Sequence, residues 1–319
     1  MRRTSRIRPF RKRNLRREGH RVAGRLLESR RSRMTEPVSR VPLGLDTTSS
    51  RRWPVTGHPN ALKLTAAWHA AALAGCALAP SSWPWWLAGT AINHAAVTAA
   101  GLWPRSSVLG PNWTRLPAVA GNANSIALTI DDGPDPVVTP QVLDLLDRHG
   151  VRATFFCIGT LARRYPSLTR EIVARGHAVE NHSQTHRHTF SVKGPIALAR
   201  EVAAAQRTLT ELTGERPLFF RAPAGLRNVL LEPVLQVFDL RLVAWTKRGF
   251  DTRETDPGRV QQRLLDNLAA RDILLVHDGN AATAANGQPV LLSVLPHVIE
   301  AARQQGLRFI TLRQAFTSE

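Results

Sequence analysis

The stretch "LTIDDGPDP", Leu128 to Pro136, decides how the chain folds. An apolar run ends in two adjacent aspartates, and Gly133-Pro134 then breaks the chain. Asp, Gly and Pro are ordinary turn residues, so a loop with an Asx-type turn accounts for the residue types. It does not account for two anions side by side at a junction that needs neither. Outward from this point one grammar repeats. "SIALTI" (125–130) reads as a strand, and "TPQVLDLLDRHG" as a helix with Thr139 as N-cap and Pro140 at its first position. Val142, Leu143, Leu145 and Leu146 form the apolar face of that helix, and Gly150 ends it. "RATFFCI" is the next strand, followed by a helix around 165–175. Further strands are predicted at "HAVEN", "LFF", "RLVAW", "DILLVH" and "RFITL", with helices around 195–213, 228–237, 256–269 and 290–304. Strand and helix alternating in this way predict a parallel α/β sheet or barrel whose chemistry sits at the strand C-termini.

Polar groups collect at those C-termini. Asp131 and Asp132 follow the first strand, and His182 and His186 follow "HAVEN" within "NHSQTHRH". Arg221 follows "LFF", Asp251 lies beyond "RLVAW", and His277 ends "DILLVH". His182 and His186 are four apart, so one helical turn would bring their imidazoles to the same side. With one carboxylate they make a two-His, one-Asp set that leaves positions open for water and substrate. A lone pair of histidines at this spacing is more often surface or capping than ligand, and His177 and His188 lie nearby. The aspartates and His277 give the pair its meaning. One aspartate binds the metal, and the charge of the cation removes the penalty on its neighbour. The neighbour takes a proton from a water whose acidity the metal raises. Arg221 holds that base by a charge-assisted hydrogen bond, and His277 protonates the leaving amine. Taken singly, Arg221 is a surface ion pair and His277 a satisfied strand-end histidine; their joint occurrence at one rim is the signal.

"TIDDGPDP", "NHSQTH", "RAPAG" and "LLVHDG", in this order, resemble the motifs of the polysaccharide deacetylase family, whose unit is the NodB homology domain (carbohydrate esterase family 4-like). The resemblance covers about residues 120–319. It implies a distorted (β/α) barrel and metal-dependent hydrolysis of an N-acyl group, usually N-acetyl, on an aminosugar of a polysaccharide or lipid-linked glycan. It also implies Asp131 as general base, Asp132, His182 and His186 as metal ligands, Arg221 as the brace of the base, and His277 as general acid tuned by Asp251. Pro223, Ala224, Trp245 and Leu275 are its candidate substrate-binding positions. Zinc is the expected ion, with cobalt, nickel or iron compatible with the same ligands. Two departures bear on the acyl pocket: Ala224 stands where the family often has an aromatic, and Thr252 where it often has Trp. Deformylation, or glycan binding without turnover, are the alternatives.

The rest of the 319 residues reads differently. The net charge of +19 resembles a nucleic-acid signal, but residues 1–60 hold 17 Lys and Arg against 4 Asp and Glu, and the remainder 26 against 20. The basicity belongs to a tail predicted to be disordered, with Met34 as an alternative start, and nucleic acid is not the expected partner. Two cysteines, Cys76 and Cys157, exclude a disulfide framework. Leu64–Ala79 and Trp83–Trp103 lack Asp, Glu, Lys and Arg, and tryptophans stand near the ends of the second. They predict a helical hairpin in the cell membrane (61–104), the second run long enough to span and the first slightly short. Buried Ala-rich helices, or a lipoprotein box at "LAGC", are the competing readings. Arg51, Arg52 and Lys63 before the hairpin, and Arg105 and Arg115 after it, place the catalytic domain in the cytoplasm; a single crossing would place it outside. Residues 105–124 read as a linker, and 125–319 as the catalytic domain. The oligomeric state is left open.

Overall fold

The computed structural model describes residues 60–317. The basic segment and Met34 lie outside the described residues. Two helices come first, α1 (Asn60–Leu78) and α2 (Trp83–Leu102). The barrel elements follow: β1 (Ser125–Asp131), α3 (Val138–Arg148), β2 (Thr154–Cys157), α4 (Gly159–Arg164), α5 (Pro166–Ala174), β3 (Ala178–Asn181), α6 (Pro195–Thr213) and β4 (Phe219–Phe220). The chain continues through α7 (Leu231–Val237), β5 (Arg241–Leu242), β6 (Lys247–Arg248), α8 (Pro257–Leu265), β7 (Ile273–His277), α9 (Val290–Gln304), β8 (Arg308–Phe309) and α10 (Leu312–Thr317).

All pairings between these strands are parallel, in the order β5-β4-β3-β2-β1-β7-β6, with β8 beside the start of β1. The expected distorted (β/α) barrel is thus a curled parallel sheet. Side-chain alternation along β1 explains how it carries both a core and a site. Ile126, Leu128 and Ile130 point outward to the helices, joining Val142, Leu143, Leu146 and Phe155 in the main apolar cluster. Each such fully buried aliphatic side chain contributes about 1.5–3 kcal/mol. Ala127 faces inward with Phe156, Phe219, Ile273 and Leu275. Asp131 continues the inward parity, as does His277 on β7, and the two are register partners.

Residues 105–124, expected as a linker, are packed into the domain. Leu109 and Leu116 are fully buried, Trp113 pairs with Val243, and Arg115 bridges to Asp272. This segment bridges the end of β5 to the start of β7. The α3 start also differs from expectation. The Asp135 carboxylate accepts from the backbone N–H groups of Val137 and Val138, while the Thr139 hydroxyl donates to Asp278 and accepts from the Asp135 amide. Asp135 therefore caps the helix, because Thr139 is committed elsewhere. The short helix α4 and strand β6 lie in stretches where local pattern predicts neither.

α1 and α2 pack antiparallel. Trp68 Nε1 donates to Thr90 Oγ1 at 3.1 Å, and the Nε2 atoms of His69 and His94 lie 3.2 Å apart. Gly89 admits the Trp68 ring, since a Cβ there would lie 2.2 Å from it. Among the described residues one helix, α1, is long and apolar enough to cross a membrane by length and composition. The expectation had been the reverse. α1 gains length by starting at Asn60, while Thr90, Asn93, His94 and Thr98 place polar groups along α2.

Candidate active site

The Asp131–Pro134 turn is held from below by Asp278. Asp278 Oδ2 accepts from the Thr139 hydroxyl at 2.5 Å, and the Asp278 amide donates to the Asp131 carbonyl at 3.2 Å. Gly133 is required here, because a Cβ would sit 2.3 Å from the Asp278 carboxylate. Burial, the dominant cause, and the nearby Asp132 charge push Asp278 up to about 7. The sequence reading did not single out Asp278, and it singled out Thr139 only as a helix cap. The acid directly after His277 in "LLVHDG" was the available signal.

Asp131 is 3% exposed, and its Oδ1 accepts from Arg221 Nη1 at 2.7 Å. Arg221 is buried and almost fully committed. Nη1 also reaches Thr129 Oγ1 at 2.8 Å, Nη2 reaches the Ala244 carbonyl at 2.8 Å, and Nε reaches the Val243 carbonyl at 3.2 Å. Its guanidinium carbon lies 4.2 Å from the Phe156 ring centroid. A planar fork locked in this way fixes one carboxylate oxygen and leaves the other, Oδ2, 3.8 Å from His182 Nε2.

His182 and His186 meet, with ring centroids 4.7 Å apart, but not across a helical turn. They sit on a loop in which Ser183 and His186 have positive φ (64° and 48°). Asn181 Oδ1 accepts from the Ser183 amide, and Ser183 Oγ from the His186 amide. The loop does what a helix was expected to do, because these bonds bend the backbone back on itself.

His182 Nδ1 lies 2.8 Å from the Arg221 carbonyl and must donate to it, so Nε2 of the neutral ring presents a lone pair. That atom is 3.2 Å from Asp132 Oδ1, and His186 Nε2 is 3.1 Å from the same oxygen. Asp132 Oδ1 is buried with no hydrogen-bond partner. Ligand atoms of these three residues lie within 4.8 Å of one another. Electron-pair donors facing one point, with a buried oxygen left unsatisfied, fit a divalent cation. Burial pushes His186 down to about 4, leaving it neutral as a ligand must be. For Asp132, burial works upward, but a protonated His182 beside it, whose proton a bound cation would replace, holds it well below the usual carboxylate range.

Across the site, His277 Nδ1 lies 2.9 Å from Asp251 Oδ1, and the His277 amide donates to Asp251 Oδ2 at 2.7 Å. Asp251 is fully buried. Burial alone would lower His277, but the Asp251 hydrogen bond and charge, with Asp131 and Asp132 beyond, raise it.

The remaining positions divide. Ala224 is exposed at the rim with φ 55°, next to buried Pro223. Trp245 is 7% exposed, with its ring centroid 5.9 Å from the Arg221 guanidinium carbon. Leu275 is 1% exposed and packs in the inner cluster with Phe156 and Trp245, so it underlies the site without opening onto it.

A family model described as polysaccharide deacetylase matches residues 118–243. The chain is 31% identical over 198 residues to a peptidoglycan-N-acetylglucosamine deacetylase of Bacillus cereus, covering 61% of this chain and 90% of that one. It is 33% identical over 198 residues to a chitooligosaccharide deacetylase of Azorhizobium caulinodans, covering 59% and 92% respectively. Among solved structures it resembles a family 4 carbohydrate esterase from Streptomyces lividans in complex with acetate, at 29% identity and TM-score 0.53, covering 60% of this chain and 93% of that one. Four ordered motifs, the curled parallel barrel and these relatives converge: the chain belongs to the polysaccharide deacetylase family.

Proposed function

We propose that the protein removes N-acyl groups, chiefly N-acetyl, from aminosugar residues of a glycan by hydrolysis. The observation that carries this reading is the opposition, at one rim, of a braced carboxylate (Asp131–Arg221) and a carboxylate-supported imidazole (His277–Asp251) on either side of the Asp132, His182 and His186 cluster. Relatives named as deacetylases of N-acetylglucosamine in peptidoglycan and of chitooligosaccharides support it.

In this reading Asp132, His182 and His186 hold a divalent cation, with zinc first among candidates. When bound, it supplies Lewis-acid polarisation and lowers the pKa of water. Asp131 takes the proton of the attacking water on Oδ2, since Arg221 holds Oδ1. The brace keeps Asp131 oriented, which general-base catalysis requires. Asp251 holds Nδ1–H of His277 and stabilises the imidazolium, so the proton on Nε2 is available to the departing amine. Ala224, in place of an aromatic, widens the rim on the acyl side.

The apolar hairpin supports a membrane location. Leu64, Leu73, Leu78, Trp85 and Ile92 are each at least 69% exposed, more apolar surface than water-facing helices carry. The deciding experiment is acetate release from N-acetylglucosamine oligomers by the full chain in detergent, with and without chelator. Release abolished by the chelator and restored by zinc is expected. Release that survives complete metal removal would overturn the metal-dependent reading.

A further inference from the structure

Among the described residues, Arg248 is a cation with no carboxylate within 4.0 Å. Neighbouring guanidiniums are paired: Arg221 with Asp131, Arg259 with Glu254 and Asp256, and Arg263 with Glu254. Arg248 on β6, and Arg253 in the following loop, make no ion pair within 4.0 Å among the described residues. Arg248 Nε is buried and has no hydrogen-bond partner among the described residues. Its guanidinium carbon lies over two rings, 5.3 Å from the Trp245 centroid and 4.9 Å from that of Phe250. Phe250 is held at φ 61° and is 46% exposed, so one of these rings opens onto solvent.

Its position faces the chemistry. β6 pairs with β7 so that Arg248 is the register partner of Leu275, two residues before His277. The charges of Asp131, Asp251 and Asp132 act on it electrostatically, and so does that of Arg253. Three carboxylates already meet three cations here: Arg221, Arg248 and a protonated His277. A divalent cation at Asp132, His182 and His186 would leave the site positive. Offsetting the carboxylates therefore does not account for Arg248.

We propose that Arg248, with Arg253 beside it, binds an anionic substituent, a carboxylate or phosphate, on the aminosugar or its neighbour, so that an acidic glycan is preferred over a neutral one. The proposal rests on reading the site as a glycan N-deacylase. Contact with the two rings helps hold the guanidinium in place, and a planar fork of donors matches both oxyanions bidentately.

The test is equilibrium binding to the full chain in detergent, in an Asp131→Asn background so that no substrate is consumed. Three probes are compared: a neutral N-acetylglucosamine tetramer, a tetrasaccharide of alternating N-acetylglucosamine and carboxylate-bearing N-acetylmuramic acid, and N-acetylglucosamine carrying a phosphate. At least one acidic probe is expected to bind about tenfold or more tightly than its neutral counterpart, with the preference shrinking as salt is added. Arg248→Gln should reduce the acidic-to-neutral ratio to near one, and Arg248→Lys should keep part of it. Arg253→Gln, at an exposed position that does not endanger folding, should reduce it partially. Absence of any acidic preference, or equal weakening of neutral and acidic probes by Arg248→Gln, would overturn the proposal. Acetate release by the wild-type chain is scored separately: preference without release would defeat the deacylase reading and leave the anion subsite standing.

Discussion

Replacing Asp251 with Asn isolates one interaction at this site. The Asp251 carboxylate accepts from both the His277 ring, at 2.9 Å, and the His277 amide, at 2.7 Å, and is itself fully buried. Asparagine keeps the shape and one acceptor oxygen but removes the charge that stabilises the imidazolium. A hydrogen bond to a charged group is worth about 1.5–3 kcal/mol. At about 1.36 kcal/mol per pKa unit, His277 should titrate about one to two units lower in the variant. If His277 is the acid, activity falls as pH rises through its pKa, so the alkaline limb of kcat against pH should move to lower pH by that amount. The fold should respond in the same sense. His277 is raised in the folded state, so its pairing stabilises the protein below the ordinary histidine value, and that contribution fades as pH rises through the folded value. Asp251→Asn should therefore lower the melting temperature most below about pH 6 and progressively less at alkaline pH. An alkaline limb that stays in place in a folded, metal-loaded variant would refute the assignment of His277 as the acid.

Asp131→Asn should lower acetate release by about a hundredfold to ten-thousandfold, the usual worth of a general base, while the bound-metal content stays at the wild-type level. Turnover and metal analysis on one preparation check both halves. Asp278 is raised to about 7 by burial, so the wild-type fold loses stability as pH rises from the ordinary carboxylate range toward that value. Asp278→Asn should flatten the slope, read from melting temperatures across that window.

Much of the site was legible because its residue types are rare in combination. Two adjacent aspartates after an apolar strand need a reason, and alternation along β1 sends Asp131 to the side opposite Ile130, into the barrel. The same parity on β7 sends His277 there. The loop that unites His182 and His186 was not legible, since its positive φ values depend on backbone amides donating to the Asn181 and Ser183 side chains. Thr139 illustrates a second failure. By local rules it is a good N-cap, but the buried Asp278, 139 positions away, takes its hydroxyl.

Sequence by itself determined the strand–helix alternation, the apolar segment before the barrel and the identity of the chemical groups, because periodicity and residue chemistry are local properties. Only the tertiary structure decided that residues 105–124 bridge the end of β5 to the start of β7, that Leu275 lies beneath the site, and that Arg248 stands beside it with no carboxylate partner among the described residues. Those outcomes depend on contacts between residues far apart in the chain, which no local pattern encodes.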